Sequence, residues 1–409
     1  MRRDFTLLWA GMGVSQLGTQ VQRVAIAWQL YLLTHSPLSL GLLGLFRVAP
    51  VLLLALGAGV VADSVDRRRL VMLTQSLMAL ASAALAVMTA TGHASATAIY
   101  ALSFLTGMAN AFDNPARQAL VPALVPASEL PSALSLNITT WQVASVIGPG
   151  LGGLLLRVCD RKLVDMTALG AHPGLVVAYA LDALSFIAVI AALAVMRFRA
   201  PASSGKRPSL AAAIEGLRFA RAQPVILWMM LLDFAGTFLA GATLLMPVFA
   251  DRVLHVGTDG LGLLLAAPAV GAVATALAMS WLPPPRARGV VVLVSVVIYG
   301  ASIAVFGLST SFALSLVALA VSGAADTVSM IVRQTIRQLL TPDEMRGRMT
   351  SVNMIFFMGG PQLGEVEAGL VATWIGAPLS VATGGIACAV FAIVVAIAVP
   401  IVRRHRADS

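Results

Sequence analysis

The chain has 409 residues, 59% of them hydrophobic and 11% charged. Water-soluble domains carry about 25% charged residues, so an array of soluble domains is excluded for want of polar surface and an integral membrane protein is predicted. The formal net charge of +9 does not indicate nucleic acid, because the basic residues lie in short connections between apolar runs rather than on one globular face.

A membrane-spanning helix needs about 20 apolar residues. On that ruler twelve spans are predicted, roughly 5–33, 40–62, 70–91, 95–114, 132–157, 174–197, 224–250, 258–282, 289–308, 311–333, 350–374 and 377–402. Met1-Arg2-Arg3 before the first run resembles a signal-peptide start. That run is too long and too polar for one and is read as a retained first span. Of the 27 Lys and Arg residues, 21 fall in connections on the side of the amino terminus. Only Arg157, Arg161, Lys162 and Arg252 fall on the other side, and Arg23 and Arg47 lie inside spans. That bias predicts both termini in the cytoplasm. Cys159 and Cys388 are too few for a disulfide framework or a zinc site.

In chain order, span 1 carries Gln16, Gln20, Gln22 and Arg23, of which Gln16 and Gln20 are candidate cavity contacts. Between spans 2 and 3 stands GVVADSVDRRR, with Gly59, Asp63, Arg67, Arg68 and Arg69. The arginines hold this loop on one side of the bilayer, and the glycines let another helix approach. Span 4 carries Asn110 and ends at Asp113. Asn110 and Asn137 are further cavity candidates, although hydrogen bonding between helices explains all these polar residues equally well. Span 5 contains Gly148, Pro149, Gly152 and Gly153. Proline removes a backbone donor and bends the helix, and the glycines make a smooth face for a neighbour. Asp182 in span 6 is read as structural. Residues 199–223 form the longest polar stretch, a linker followed by either a surface helix with Leu210, Ile214 and Leu217 in register or a solvated connector.

Charges inside spans cost about 2.5–3.5 kcal/mol each at a bilayer centre and need a partner or a wet cavity. Asp233 in span 7, Asp326 in span 10, and Glu365 and Glu367 in span 11 are therefore candidate proton-coupling carboxylates, with Arg23 and Arg47 as candidate partners. Two residues apart on a helix, Glu365 and Glu367 point about 200° away from each other and cannot share a face. Desolvation penalises a charged carboxyl in this setting, which suits it to exchange protons.

A shift of 216 residues superimposes Arg117 on Arg333, Gln118 on Gln334, Pro126 on Pro342, Asn137 on Asn353, Gly148 on Gly364 and Gly153 on Gly369 without a gap. The chain is thus read as two homologous halves, 1–198 and 224–409, joined by the linker 199–223. No phosphate-binding loop, HExxH, metal-ligand cluster or nucleophile elbow is present, so no enzyme, cofactor or metal is predicted.

These motifs carry a resemblance. The loop from Gly59 to Arg69 resembles the signature between helices 2 and 3 of the major facilitator superfamily, with Ser64 and Asp66 departing from the usual pattern. The span 5 glycines resemble its antiporter motif, which is associated with export. The strings FDNPARQALVPALVP and RQTIRQLLTPDEMRGRMTSVN, with the opening DFTLLWAGMGVSQLGTQVQRVAIAW, look like the branch of the enterobactin exporter and macrolide-efflux-like carriers. The resemblance implies an all-α membrane protein of two pseudo-twofold-related six-helix bundles, the major facilitator fold, with spans 1, 4, 7 and 10 lining a central cavity. Arg23 and Asp233 would then oppose each other as an ion pair or proton site. It also implies that Asp63 faces the start of span 11, that Arg67 pairs with Asp113, and that the cluster acts as a gate or as a topological anchor. The expected function is proton-coupled export of a small amphipathic molecule, a drug, siderophore or similar metabolite, by a monomer in the cytoplasmic membrane. An importer or facilitator on the same fold is the alternative, and a membrane-embedded enzyme or sensor is the rival from another class.

Overall fold

The computed structural model describes residues 3–126, 129–162, 172–196, 210–241, 243–283, 285–342 and 345–405. Some side chains within the helices, including those of 55–60, 62–64, 346–348 and 354–358, lie outside the description. Among the described residues every regular element is helical. Hydrocarbon offers no hydrogen-bond partners, and a helix satisfies its backbone within one segment.

The first six helices are α1 Arg3–Thr34, α2 Pro37–Ser64, α3 Arg67–Ala90, α4 Ala96–Leu124, α5 Leu130–Lys162 and α6 Pro173–Val195. The short α7, Leu210–Ala222, follows. Then come α8 Pro224–Leu239, α9 Gly257–Trp281, α10 Arg288–Leu308, α11 Phe312–Leu340, α12 Arg346–Ile375, α13 Ala377–Ala398 and the turn α14 Pro400–Arg403. Local chemistry sets several starts. Ser95 caps α4 by accepting from Ala98 N–H at 3.2 Å, and proline stands in the first turn of α6, α8 and α13.

Eight segments among the described residues are long and apolar enough to cross a membrane. The long helices α1, α4 and α12 fall outside that set because of their polar residues, such as the glutamines of α1 and Glu365 and Glu367 of α12, and α2 is described only in part. The count of twelve crossings thus remains an expectation of the sequence pattern.

The helices fall into two compact units. One holds Met1–His35 and Leu45–Arg207, the other Ser36–Gly44 and Pro208–Ser409. In the first, α1 packs on α5 and α6, and α3 on α4 and α6. Its largest core joins Phe5, Leu8 and Met12 to Leu70, Val71, Leu120, Leu124, Val189 and Leu193. In the second, α10 packs on α13 and α11, α9 on α11, and α8 on α12. The pairings α1–α5, α3–α4 and α3–α6 therefore recur as α8–α12, α10–α11 and α10–α13. This is the internal repeat expressed as packing.

Two details differ from expectation. Span 7 is not one continuous helix. It stops at Leu239 and resumes as a 3-10 turn at Thr243–Leu245, an α turn at Met246–Val248 and a π turn at Phe249–Val253. Pro247 stands in the first turn of the resumed α segment, where a missing N–H costs nothing. The linker does hold a helix, α7, but Leu217 is exposed. Ala220 is the buried residue, packed with Phe219 against Ile226, Met230, Met349 and Val352. Leu210, Ile214 and residues 199–209 lie outside the described side chains or residues.

Helix contacts in lipid rely on van der Waals packing across small residues. A Cβ on Gly271 of α9 would overlap the Ala320 carbonyl of α11, and one on Gly323 of α11 would overlap the Pro268 carbonyl of α9. Gly271→Val and Gly323→Val are each expected to destabilise the second unit by about 1–3 kcal/mol through overpacking. Thermal unfolding of the purified variants in detergent checks this.

Candidate functional site

In the second unit, Asp233 of α8 meets Arg333 of α11. The guanidinium Nη2 donates to Asp233 Oδ1 at 2.6 Å, and the two side chains are 17% and 11% exposed. Asp326, seven residues before Arg333 and thus two turns back on the same face of α11, stands 3.8 Å from the same Nη2 and is half-exposed. One cation therefore stands between two carboxylates. The crevice around them is lined also by Gly236, Thr237, Tyr299 and Ser329 and has room for about one water. Ser329 Oγ is buried there without a hydrogen-bond partner among the described residues. The Tyr299 hydroxyl faces the carbonyl of Ala240 at 3.5 Å, where α8 breaks off.

The expected partner of Asp233 was Arg23. Asp233 is paired with Arg333, which the sequence pattern placed among the basic residues at the cytoplasmic edge. The 216-residue repeat pointed at Arg333 by matching it to Arg117, but it did not identify the carboxylate. Arg117 pairs along its own helix with Asp113, Nε to Oδ2 at 3.4 Å, whereas Arg333 reaches across to another helix.

Asp113 is fully buried in the first unit. Its Oδ1 accepts from Thr74 Oγ1 at 2.8 Å and Gln75 Nε2 at 3.1 Å, which ties α4 to α3. In the basic loop, Arg68 donates to the Ala194 carbonyl at the end of α6, at 3.1 Å. Asp66, a departure from the family pattern, caps α3 by accepting from Arg68 N–H at 2.9 Å and Arg69 N–H at 3.3 Å. Arg69 is exposed and Arg67 half-buried. The side chains of Gly59 and Asp63 lie outside the description.

The glycines of span 5 seat α1. A Cβ on Gly148 would overlap the Gln20 side chain, and one on Gly152 would stand 3.1 Å from Val24. Gly153 is buried, and α5 runs unbroken through Pro149. The same device recurs in the second unit, where Gly360 and Gly364 of α12 face Phe234, Thr237 and Phe238 of α8. The opposite face of α1 is locked by a buried chain: Gln22 Nε2 donates to Ser82 Oγ at 2.7 Å, Ser82 donates to Asp182 Oδ2 at 2.6 Å, and Thr19 donates to Asp182 Oδ1 at 3.3 Å. Sequence reasoning assigned Asp182 a structural role but did not identify these donors.

Among the cavity candidates, Asn110 donates to the Thr106 carbonyl of its own helix at 3.1 Å, and Asn137 is half-buried. Gln16 Oε1 is buried with no hydrogen-bond partner among the described residues. Arg23 is exposed between the buried Gln22 and Val24, and Arg47 is half-buried with its carbonyl against Gly107. Glu365 lies against Gly44, whose Cβ would fall 3.0 Å from Glu365 Oε2, and Glu367 is half-buried. Among the described residues no group of three or more His, Cys, Asp or Glu could hold a metal ion.

The triad has a stability signature. Arg333→Leu leaves Asp233 with an uncompensated charge, and breaking such a pair costs about 3–5 kcal/mol, less here because Asp326 is partly solvated. Arg333→Leu is expected to lower the unfolding temperature sharply. The double variant Asp233→Asn/Arg333→Gln is expected to recover most of that loss, as measured by thermal unfolding in detergent.

Comparison with known proteins agrees with this architecture. The chain is 26% identical over 384 residues to the enterobactin exporter EntS of Shigella boydii, covering 94% of this chain and 88% of the relative. It is 28% identical over 330 residues to the same exporter of Citrobacter koseri, covering 80% and 76%. Its fold is similar to that of a bacterial homologue of the iron transporter ferroportin, with a TM-score of 0.73 at 16% identity over 97% of this chain and 98% of the other. It is equally similar to a bacterial homologue of the lysosomal transporter Spinster, with a TM-score of 0.73 at 14% identity over 98% of each. The family model of the transmembrane secretion effectors matches residues 1–409 in full. The chain belongs to the transmembrane secretion effector family, a branch of the major facilitator superfamily of multi-pass membrane transporters.

Proposed function

We propose that the protein exports a small amphipathic molecule, of the siderophore or drug class, across a bacterial cytoplasmic membrane in exchange for protons. It works as a monomer with both termini in the cytoplasm. The observation that carries this reading is the triad of Arg333, Asp233 and Asp326. One guanidinium cannot neutralise two carboxylates, so when both are ionised the site holds a surplus negative charge. A proton removes that surplus. Asp233 holds Arg333 at 2.6 Å, so Asp326 is the carboxylate left to take it. Glu365 and Glu367 are secondary carriers, and Arg23 and Arg47 supply counter-charge on the other half.

Protonation favours one conformation and substrate the other, and their differing affinities for the two states couple the fluxes. The glycine seats between α5 and α1 and between α12 and α8 let helices shift without steric cost. Gly59, Asp63, Arg67, Arg68, Arg69 and Asp113 form the gate that holds one closed state and opens as the halves rock, while the contacts of Arg68 with Ala194 and of Asp113 with Thr74 and Gln75 keep the helices of the first unit in register. Export as the direction follows from the glycine pattern of span 5 and from the similarity to enterobactin exporters.

Inverted membrane vesicles with an acid interior are expected to accumulate enterobactin, or another compound found to be released only by cells carrying the protein. Accumulation under the opposite gradient alone identifies an importer. Asp326→Asn is expected to abolish gradient-driven accumulation while leaving downhill exchange, and Glu365→Gln and Glu367→Gln are expected to have smaller effects. Unchanged pH dependence in Asp233→Asn, Asp326→Asn, Glu365→Gln and Glu367→Gln alike overturns the carboxylate assignment.

A further inference from the structure

Two basic segments far apart in sequence meet in the second unit. The Gly289 N–H at the start of α10 donates to the His405 carbonyl at 3.1 Å. A Cβ on Gly289 would overlap the Val402 carbonyl, so the two backbones are in direct contact and only glycine fits. Arg286 and Arg288 precede this junction on one strand of chain, and Arg403 and Arg404 precede it on the other. Arg286, Arg403 and Arg404 are exposed and Arg288 is half-buried. Among the described residues no carboxylate forms an ion pair with any of the four. Four arginines on two touching segments, with no carboxylate paired to them among the described residues, favour an anion. α10 also begins here with no side-chain cap, so its first amides add to the positive field.

The rim of the cluster is apolar. Trp281 at the end of α9 is 85% exposed and Leu282 63%, while Ile397 and Ile401 are exposed on the other side of the junction. Exposed tryptophan beside arginine marks the level of lipid headgroups, where the ring sits in the interface and guanidiniums reach phosphate. A soluble acidic partner leaves that apolar rim unmatched. A lipid satisfies both parts at once, with phosphate on the arginines and acyl chains along Trp281 and the isoleucines.

We propose that Arg286, Arg288, Arg403 and Arg404 form a binding site for the phosphate headgroup of an anionic phospholipid. The site pins the start of α10 to the chain's carboxyl-terminal turn. It requires only that the chain is membrane-embedded, and it stands or falls separately from export or proton coupling.

Native mass spectrometry of the full chain in neutral detergent tests this, with phosphatidylglycerol, phosphatidylethanolamine and glycerol 3-phosphate as probes. The wild type is expected to retain phosphatidylglycerol at concentrations where phosphatidylethanolamine is lost. Each arginine near an anionic surface strengthens binding about fivefold, so Arg403→Gln/Arg404→Gln is expected to weaken it roughly twenty-fold. Arg286→Gln/Arg288→Gln is expected to act alike, and replacement of all four by lysine is expected to keep most of the binding. Equal phosphatidylglycerol binding by the wild type and both glutamine pairs overturns the site, as does equal binding of phosphatidylethanolamine. Glycerol 3-phosphate binding as tightly as the lipid reassigns it to a free phosphate ester.

Discussion

Everything in this molecule follows from the absence of water in the hydrocarbon core. A backbone amide or a charged side chain placed there must find its partner within the protein. Helices meet that demand for the backbone. Glycine faces meet it for packing, because lipid tails give helices no hydrophobic reason to associate and only close contact rewards them. The Gly148 and Gly152 seat for α1 and the Gly360 and Gly364 seat for α8 are the same answer given once in each unit.

The two units handle buried charge differently. In the first, Asp182 accepts from two hydroxyls, and Asp113 accepts from a hydroxyl and an amide and sits beside Arg117. Both tie helices together, and Asp113 does so through Oδ1 alone, since its buried Oδ2 accepts no hydrogen bond among the described residues. In the second, Asp233 and Asp326 depend on a single Arg333. Carboxylates bonded across helices hold a shape, whereas in the second unit two carboxylates share one cation. That asymmetry is why coupling belongs to the second unit in our proposal and register to the first.

The basic residues at the membrane edge also do more than orient the chain. Arg68 holds the end of α6 and Asp66 starts α3, so the loop between the second and third helices is structural as well as topological. At the equivalent connection of the second half, Arg286 and Arg288 have no such acidic partner among the described residues. They lie instead beside the basic carboxyl-terminal turn.

The sequence by itself determined the membrane class, the helical content and the family. These depend on composition and on spacing along the chain, and lipid reads them directly. The glycine motif and its repeat in span 11 were legible for the same reason. Partner choice was not. That Arg333 joins Asp233, that Ser82, Thr19 and Gln22 surround Asp182, that span 7 breaks before Pro247 and that Gly289 meets Val402 all bring together residues remote in sequence. Such contacts are decided by which helix faces meet, and helical periodicity names a face without naming its neighbour.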